Sequence, residues 1–147
     1  MKVSLNWLKR YVDIKVSAQE LCDKMTMSGF EVEGMEDLSQ TMSNVRAGRI
    51  VKIEKHPDAD KLQVCQVDVG GEAPIQIITG AQNVFEGALV PCALHDSHLP
   101  NGAHIKRGKL RGLPSEGMMC SGEELCLKES DYPGAEVYGI LILQGDW

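Results

Sequence analysis

"KHPDADKLQVCQVDVG", residues 55–70, opens on a His-Pro step, adds two acids and a lysine, and runs into a strand-like pattern. Pro57 fixes its own φ, and aspartates such as Asp58 and Asp60 readily cap their own backbone in a turn. A general acid/base pair would need facing carboxylates in an apolar pocket that separates their pKa values. Two positions apart in a Pro-containing turn, these two read as turn chemistry. Beyond the turn, Leu62 and Val64 share one strand face, while Val67 and Val69 lie on the other. That phase change predicts a β-bulge near Cys65–Gln66.

Short strands continue on both sides. Upstream, Val45, Ala47, Val51 and Ile53 read as one face of a strand, with Gly48 as a bend. Downstream, Ile75 and Ile77 mark a third strand, Val90, Cys92 and Leu94 a fourth, and Val137, Leu141 and Leu143 a late one. Strands at this spacing with little helix between them predict a mainly β protein, a small five-stranded barrel of the OB type. The first forty residues differ. Ser17 and Glu20 stand in capping-box positions before the apolar stripe Ala18, Leu21, Cys22 and Met25, and Gly29 suits the helix stop. An earlier helix is expected from Ser4 to about Val12. Two short helices bury little by themselves and must pack on something else. The polar "EDLSQTMSN" (36–44) then reads as a linker. The expected division is a helical segment over 1–40 and a barrel domain over 41–147.

The chain of 147 residues carries a net charge of −6, and residues 41–147 hold ten Lys/Arg against fourteen Asp/Glu. That excludes a generic polyanion binder and leaves room only for a local basic patch of modest affinity. No run of about 18 apolar residues suggests a membrane span. The N-terminus lacks a signal peptide's apolar core, so a cytoplasmic protein is expected. Five cysteines without a CxxC fit reduced, buried thiols. Cys92, His95 and His98 have a metal-like spacing, but on a strand positions 92 and 95 point to opposite faces, so no metal site is assigned. Phosphate-loop, dinucleotide and nucleophile-elbow motifs are absent, and no catalytic residue is expected. Ser121 and Glu124 are placed to cap a short helix.

One segment stands apart. In "HIKRGKLRGLPSEGMMCSGEEL" (104–125), Lys106, Arg107, Lys109 and Arg111 put four cations within six residues. Gly108 and Gly112 let a backbone partner approach, while Met118 and Met119 sit near Ser115 and Ser121. On an OB-type barrel such a loop suits oligonucleotide binding, although aromatic platforms are scarce.

The stretches "HPDADKLQVCQVDVG", "GAQNVFEG" and "KLRGLPSEGMMCS" together resemble the tRNA-binding OB module of the endothelial monocyte-activating polypeptide type. "MKVSLNWLKRYVDI" followed by "LCDKMTMSGFEVEGME" is similar to the start of the bacterial phenylalanyl-tRNA synthetase β subunit family. The resemblance implies an N-terminal region of a longer chain in an α2β2 ligase that uses ATP and magnesium, with the catalytic centre in the α subunit. It implies that the first forty residues belong to a small discontinuous α/β domain completed by later chain. The family motif falls on His56, Pro57, Ala59, Asp60, Lys61, Leu62, Gly80 and Asn83, then on Lys109–Gly112, Ser115, Gly117, Met118 and Ser121. From it, Asn83, Lys109, Arg111, Ser115 and Ser121 are expected to face tRNA. Lys106 and Arg107 join them on charge, and Lys61 is the contributor expected from the first stretch. The expected function is a non-catalytic, backbone-directed tRNA contact. The alternative is a scaffold module that packs against the α subunit and the rest of the β subunit with no direct RNA role.

Overall fold

The computed structural model describes residues 1–145, the side chain of Leu38 apart. Asp146 and Trp147, the last residues of the expected barrel domain, lie outside the described residues. The chain forms two compact units, Met1–Asp37 and the chain from Leu38 on.

The first unit holds α1 (Leu5–Leu8) and α2 (Ala18–Met27). The first helix is one turn long rather than reaching Val12. No side chain caps its N-terminus and none of its residues is buried, so nothing offsets the cost of extending it. The second is well terminated. Ser17 Oγ accepts from the Glu20 N–H at 3.2 Å. At the other end Phe30 N–H reaches Met25 O and Gly29 N–H reaches Thr26 O, both at 3.0 Å, the paired bonds of a Schellman stop. No residue of Met1–Asp37 is buried.

The second unit contains β1 (Ser43–Lys55), β2 (Gln63–Asp68), β3 (Ile75–Thr79), β4 (Leu89–His98), β5 (His104–Ile105), β6 (Gly108–Leu110), β7 (Leu113–Ser115) and β8 (Gly117–Met119). Antiparallel pairing runs β3-β2-β1-β4-β5, with β8 on the free side of β4, and β6–β7 form a separate hairpin. The circuit β1-β2-β3-β8-β4 nearly closes. At its seam Glu116 N–H donates to Gln76 O at 2.8 Å. Gln76 N–H in turn donates to the Glu116 carboxylate at 3.1 Å, and Ile78 N–H donates to Ser115 Oγ at 3.1 Å. The expected mainly β, OB-type barrel is therefore what the chain builds, though its fifth strand is β8 and not the late stretch around Val137.

Two details of the strands depart from the sequence pattern. The register breaks in β1, between Ile50 and Lys52, and not in β2, whose pairing with β3 is regular from Gln63 to Val67. Val51 is the extra residue. It is 46% exposed, whereas Ile50 is fully buried. Before the bulge, Gly48 and Ile50 face the barrel interior, and after it Ile53 does. Val45 turns to a second cluster, so Val45 and Ile53 do not share a face. A Cβ on Gly48 would lie 2.8 Å from both Cys92 Sγ and Val67 Cγ1, so the glycine is there for close packing across the barrel.

The late stretch is extended but not a strand. Ile140 and Ile142 pack on the barrel core while Leu141 and Leu143 enter the second cluster with Ala93, Leu99, Cys120 and Leu125. Isolated bonds rather than a ladder hold it, among them Leu141 N–H to Cys120 O at 3.1 Å, Leu143 N–H to Leu89 O at 2.7 Å and the bonds of Ile140 to the Asn83 side chain. Val137 is exposed. Alternation alone gave the strand-like pattern, because this segment lies between two cores.

Removing Ile50's side chain should therefore cost about 2–5 kcal/mol, while Val51→Thr should stay within about 0.5 kcal/mol. Urea unfolding midpoints of the two variants check this, and the reverse order would contradict the bulge. The buried thiols set a second expectation. Burial pushes Cys65 from 9.0 to about 11, and pushes Cys92 and Cys120 to about 12. The folded state keeps them neutral while the unfolded state ionises them above pH 9, so their contribution is full below that and is lost as pH rises toward 11–12. The decline in urea midpoint over that window should be shallower in Cys92→Ala than in the parent chain.

Candidate nucleic-acid interface

The basic segment leaves the barrel wall as the β6–β7 hairpin, in which Leu110 pairs with Leu113. Its two-residue turn is Arg111-Gly112, with φ of +49° and +87°. Positive φ at both positions is the mark of a type I′ turn, which matches the twist of the flanking strands. Glycine adopts that conformation freely, but an arginine there costs roughly 1–2 kcal/mol. The turn thus holds a strained cation at its tip.

His56 ties this hairpin to the opening stretch. The ring is nearly buried, 4% exposed. Its Nδ1 accepts from the Asp58 N–H at 3.1 Å, so Nε2 carries the proton and donates to Leu110 O at 3.3 Å. The His-Pro turn closes on itself through His56 N–H to Leu62 O at 3.1 Å and Leu62 N–H to Ala59 O at 3.0 Å. Lys61 sits on that closed turn, exposed, its carbonyl accepting from Gln82 Nε2. Sequence reasoning read His56 as part of the turn and missed its second bond, which reaches 54 residues along the chain.

Lys61, Lys106, Arg107, Lys109 and Arg111 are all exposed. Among the described residues none of the five forms an ion pair. The polar residues named with them sit differently. Both ends of the Asn83 amide are engaged by Ile140: Nδ2 donates to its carbonyl at 2.8 Å and Oδ1 accepts its N–H at 3.0 Å. Ser115 is 5% exposed. Its hydroxyl accepts from Ile78 and donates to Gly117 O at 3.0 Å. Ser121 and Glu124 make the reciprocal bonds of a capping box, at 2.8 Å and 3.2 Å. They cap a turn over 122–126 rather than a helix. These three side chains hold the scaffold, and the cations face solvent.

Three histidines lie beside the cations. His104 Nε2 meets the Asp96 carboxylate at 2.6 Å, and its ring stacks on His98 at 4.2 Å between centroids. The hydrogen bond and the charge of His104 hold the Asp96 carboxyl below its ordinary value. His95 Nδ1 accepts from the Arg107 N–H at 3.1 Å. Cys92, three residues earlier, is buried in the barrel core, so the metal-like spacing does not converge.

A nearly closed five-stranded barrel with an unpaired basic hairpin at its seam defines a nucleic-acid-binding barrel module. The chain belongs to the family described as "Putative tRNA binding domain", whose model matches residues 45–139. It is also similar to phenylalanine–tRNA ligase β subunits. The one from Clostridium acetobutylicum is 51% identical over 97% of this chain, and the one from Clostridium tetani 52% identical over 99%. The chain spans 18% of the length of either relative. Among solved structures, the C-terminal domain of Plasmodium vivax p43 is a loose likeness. It shows 27% identity and a TM-score of 0.43 over 58% of this chain and 48% of that one.

His56→Ala should cost about 1–3 kcal/mol by leaving the Asp58 N–H and Leu110 O unpaired. Amide exchange across Gly108–Leu110 should rise more than across β2. Equal protection of the hairpin in the variant would show that His56 does not hold it.

Proposed function

We propose that this region is a non-catalytic tRNA-binding part of a phenylalanine–tRNA ligase β subunit. It contacts the tRNA backbone weakly through Lys61, Lys106, Arg107, Lys109 and Arg111. The observation that supports it best is the set of exposed cations that form no ion pair among the described residues, in a chain of net charge −6. A cation already paired with a carboxylate gives little on meeting a phosphate, whereas an unpaired one releases phosphate counterions. Phosphate contacts of this kind position a nucleic acid without reading its sequence.

In this reading the whole enzyme is a cytoplasmic α2β2 ligase, and the α subunit and the rest of the β subunit are this region's protein partners. Among the described residues no helix is long and apolar enough to cross a membrane. ATP and magnesium belong to the catalytic centre elsewhere. Here, among the described residues, no group of three His, Cys, Asp or Glu side chains could hold a metal. Residues 1–40 contribute to a discontinuous α/β domain and 41–147 form the tRNA-binding domain. The support for the first assignment is that Met1–Asp37 carries Trp7, Tyr11, Met27 and Phe30 exposed. Helices with that surface need further chain against them.

A scaffold role is the second reading, and one surface favours it. Phe85, Val137 and Tyr138 are exposed apolar side chains, close in sequence to the Asn83–Ile140 clamp and not on the basic hairpin. A protein neighbour on that surface is compatible with RNA on the hairpin.

Binding of unfractionated tRNA should weaken with salt at a log–log slope of about −3 to −4, as five phosphate contacts to single-stranded or looped RNA would give. Changing Lys106, Arg107, Lys109 and Arg111 together to Ala should remove most of the binding. Arg111→Asn separates charge from stability. Asparagine suits a type I′ turn, so the melting temperature should hold or rise while the slope falls by about 1. Undetectable binding at low ionic strength would leave the scaffold role standing alone.

A further inference from the structure

Beside the basic run, the end of the barrel opens into a cavity of ≈ 240 Å³. Its floor is apolar: Val69, Ile75 and Leu94, all packed on the barrel core. Its rim is polar: Asn44, His95, Arg107 and Glu116. A small apolar recess with a few convergent polar groups is the usual form of a ligand site.

Each rim residue is held by at least one hydrogen bond and, among the described residues, keeps another polar atom unengaged. Asn44, held at φ +54°, donates Nδ2 to His95 O at 2.7 Å, which leaves its Oδ1 as an acceptor. His95 accepts the Arg107 N–H on Nδ1, so its Nε2 is a donor. Glu116 is pinned to β3 by its own N–H to Gln76 O at 2.8 Å. One of its carboxylate oxygens accepts from Gln76 N–H at 3.1 Å, and the other is unengaged. The Arg107 guanidinium makes no ion pair among the described residues. An ionised carboxylate only accepts hydrogen bonds and a guanidinium only donates them. A planar ligand matched to this rim offers acceptors to the Arg107 guanidinium and donors to the Glu116 carboxylate on different edges, with apolar faces for the floor.

We propose that this cavity is a binding site for one unpaired guanine of the bound RNA, a subsite that rests on the tRNA-binding reading above. Guanine presents acceptors O6 and N7 to Arg107, which then reads a base and leaves the phosphates to Lys61, Lys106, Lys109 and Arg111; this is the bidentate match that guanidinium makes most often with a base. Its N1–H and N2 amine offer two adjacent donors to Glu116, and no other common base offers a carboxylate that edge. Val69, Ile75 and Leu94 cover its face. The base must be splayed out of pairing, because Glu116 takes the edge that cytosine would use. RNA is the source rather than a free nucleotide, because the basic run continues past the cavity. Lys106 adjoins Arg107, and Lys109 and Arg111 follow on the hairpin, in place for the phosphates of flanking nucleotides.

The test is fluorescence anisotropy of the whole chain with labelled oligouridylates whose central residue is guanosine, adenosine, inosine or 7-deazaguanosine. The central guanosine should bind about tenfold or more tighter than adenosine. Inosine, which lacks the N2 amine, and 7-deazaguanosine, which lacks N7, should each fall between. Glu116→Gln should erase the difference between guanosine and inosine, and the wild-type comparison among the four bases stands even if that variant proves unstable. Equal, salt-sensitive affinity for all four would overturn the guanine site and leave the tRNA-binding reading intact. No binding to any of them at low salt would overturn both. Competition by free guanosine monophosphate as strong as by the oligonucleotide would overturn the assignment to RNA.

Discussion

The seam where β3 meets the β7–β8 stretch sets the conditions for the rest of the second unit. An edge strand in a small barrel presents unpaired N–H and C=O groups that need partners. Here the strand that should pair with β3 is only three residues long and its ladder runs to β4 instead. Side chains complete the closure: Ser115 Oγ accepts from Ile78, Glu116 accepts from Gln76, and the Gln76 amide reaches Pro114 O at 2.7 Å. Because Ser115 is both the last residue of β7 and the seam's buried acceptor, the hairpin is anchored at the barrel wall. Its tip projects outward. Glu116, held on both sides of its backbone turn, is fixed at the mouth of the cavity. A seam made only of a backbone ladder would position neither.

Electrostatics follow from that placement. Acidic residues outnumber basic ones over the whole chain, 21 to 15, yet among the described residues Lys106, Arg107, Lys109 and Arg111 form no ion pair with any of them. The carboxylates nearest in sequence are each held by another partner through one oxygen. Asp96 is bonded to His104, and Glu116 is turned back onto β3. The local field at the hairpin is therefore set by Lys106, Arg107, Lys109 and Arg111 even though the net charge has the opposite sign. Screening over about 8–10 Å at physiological ionic strength keeps the distant acids from cancelling it. The left-handed Arg111 is consistent with this. A residue kept at a conformational cost of roughly 1–2 kcal/mol, where asparagine would sit without strain, is better explained by its charge than by the turn.

Much of the barrel was legible because strand faces follow a period of two. β2, β3 and β4 lie where Val64–Val67, Ile75–Ile77 and Val90–Leu94 put them. The error in β1 came from reading one period through a bulge. Val45, Ala47, Val51 and Ile53 look co-facial only if no residue is inserted, and the inserted residue, Val51, is itself apolar. The apparent phase change in β2, Leu62 and Val64 against Val67 and Val69, is only its two apolar faces: Cys65, Val67 and Val69 line the barrel core and the pairing with β3 is regular. The stretch after Val137 shows the opposite case, in which alternation is real but the segment packs between two cores without a ladder. Of the candidate interface, the cations were legible from charge alone. Asn83, Ser115 and Ser121 were not separable from them, because a hydroxyl or amide engaged in the scaffold and one offered to a ligand look alike in sequence. In the sequence His95 shows only a metal-like spacing and Glu116 carries no signal, since only the folded chain brings residues 44, 95, 107 and 116 to one rim.

The pairing of the two motif stretches has a physical basis in His56. "HPDADK" and "KLRGLPSEG" are separated by about half of the barrel, and nothing in either stretch alone calls for the other. The neutral ring with its proton on Nε2 joins them, accepting from the Asp58 N–H and donating to Leu110 O. Leu110 is the last residue of β6 before the strained turn, so its carbonyl is where a two-strand hairpin without further sheet partners would fray first. A lysine or glutamine at position 56 could donate to Leu110, but a lysine could not accept from Asp58 and a glutamine lacks the ring that fills the buried site. A sequence that keeps the basic hairpin in place thus also keeps a histidine before the proline. The turn that carries the two aspartates is thus the support on which the cation-bearing hairpin rests.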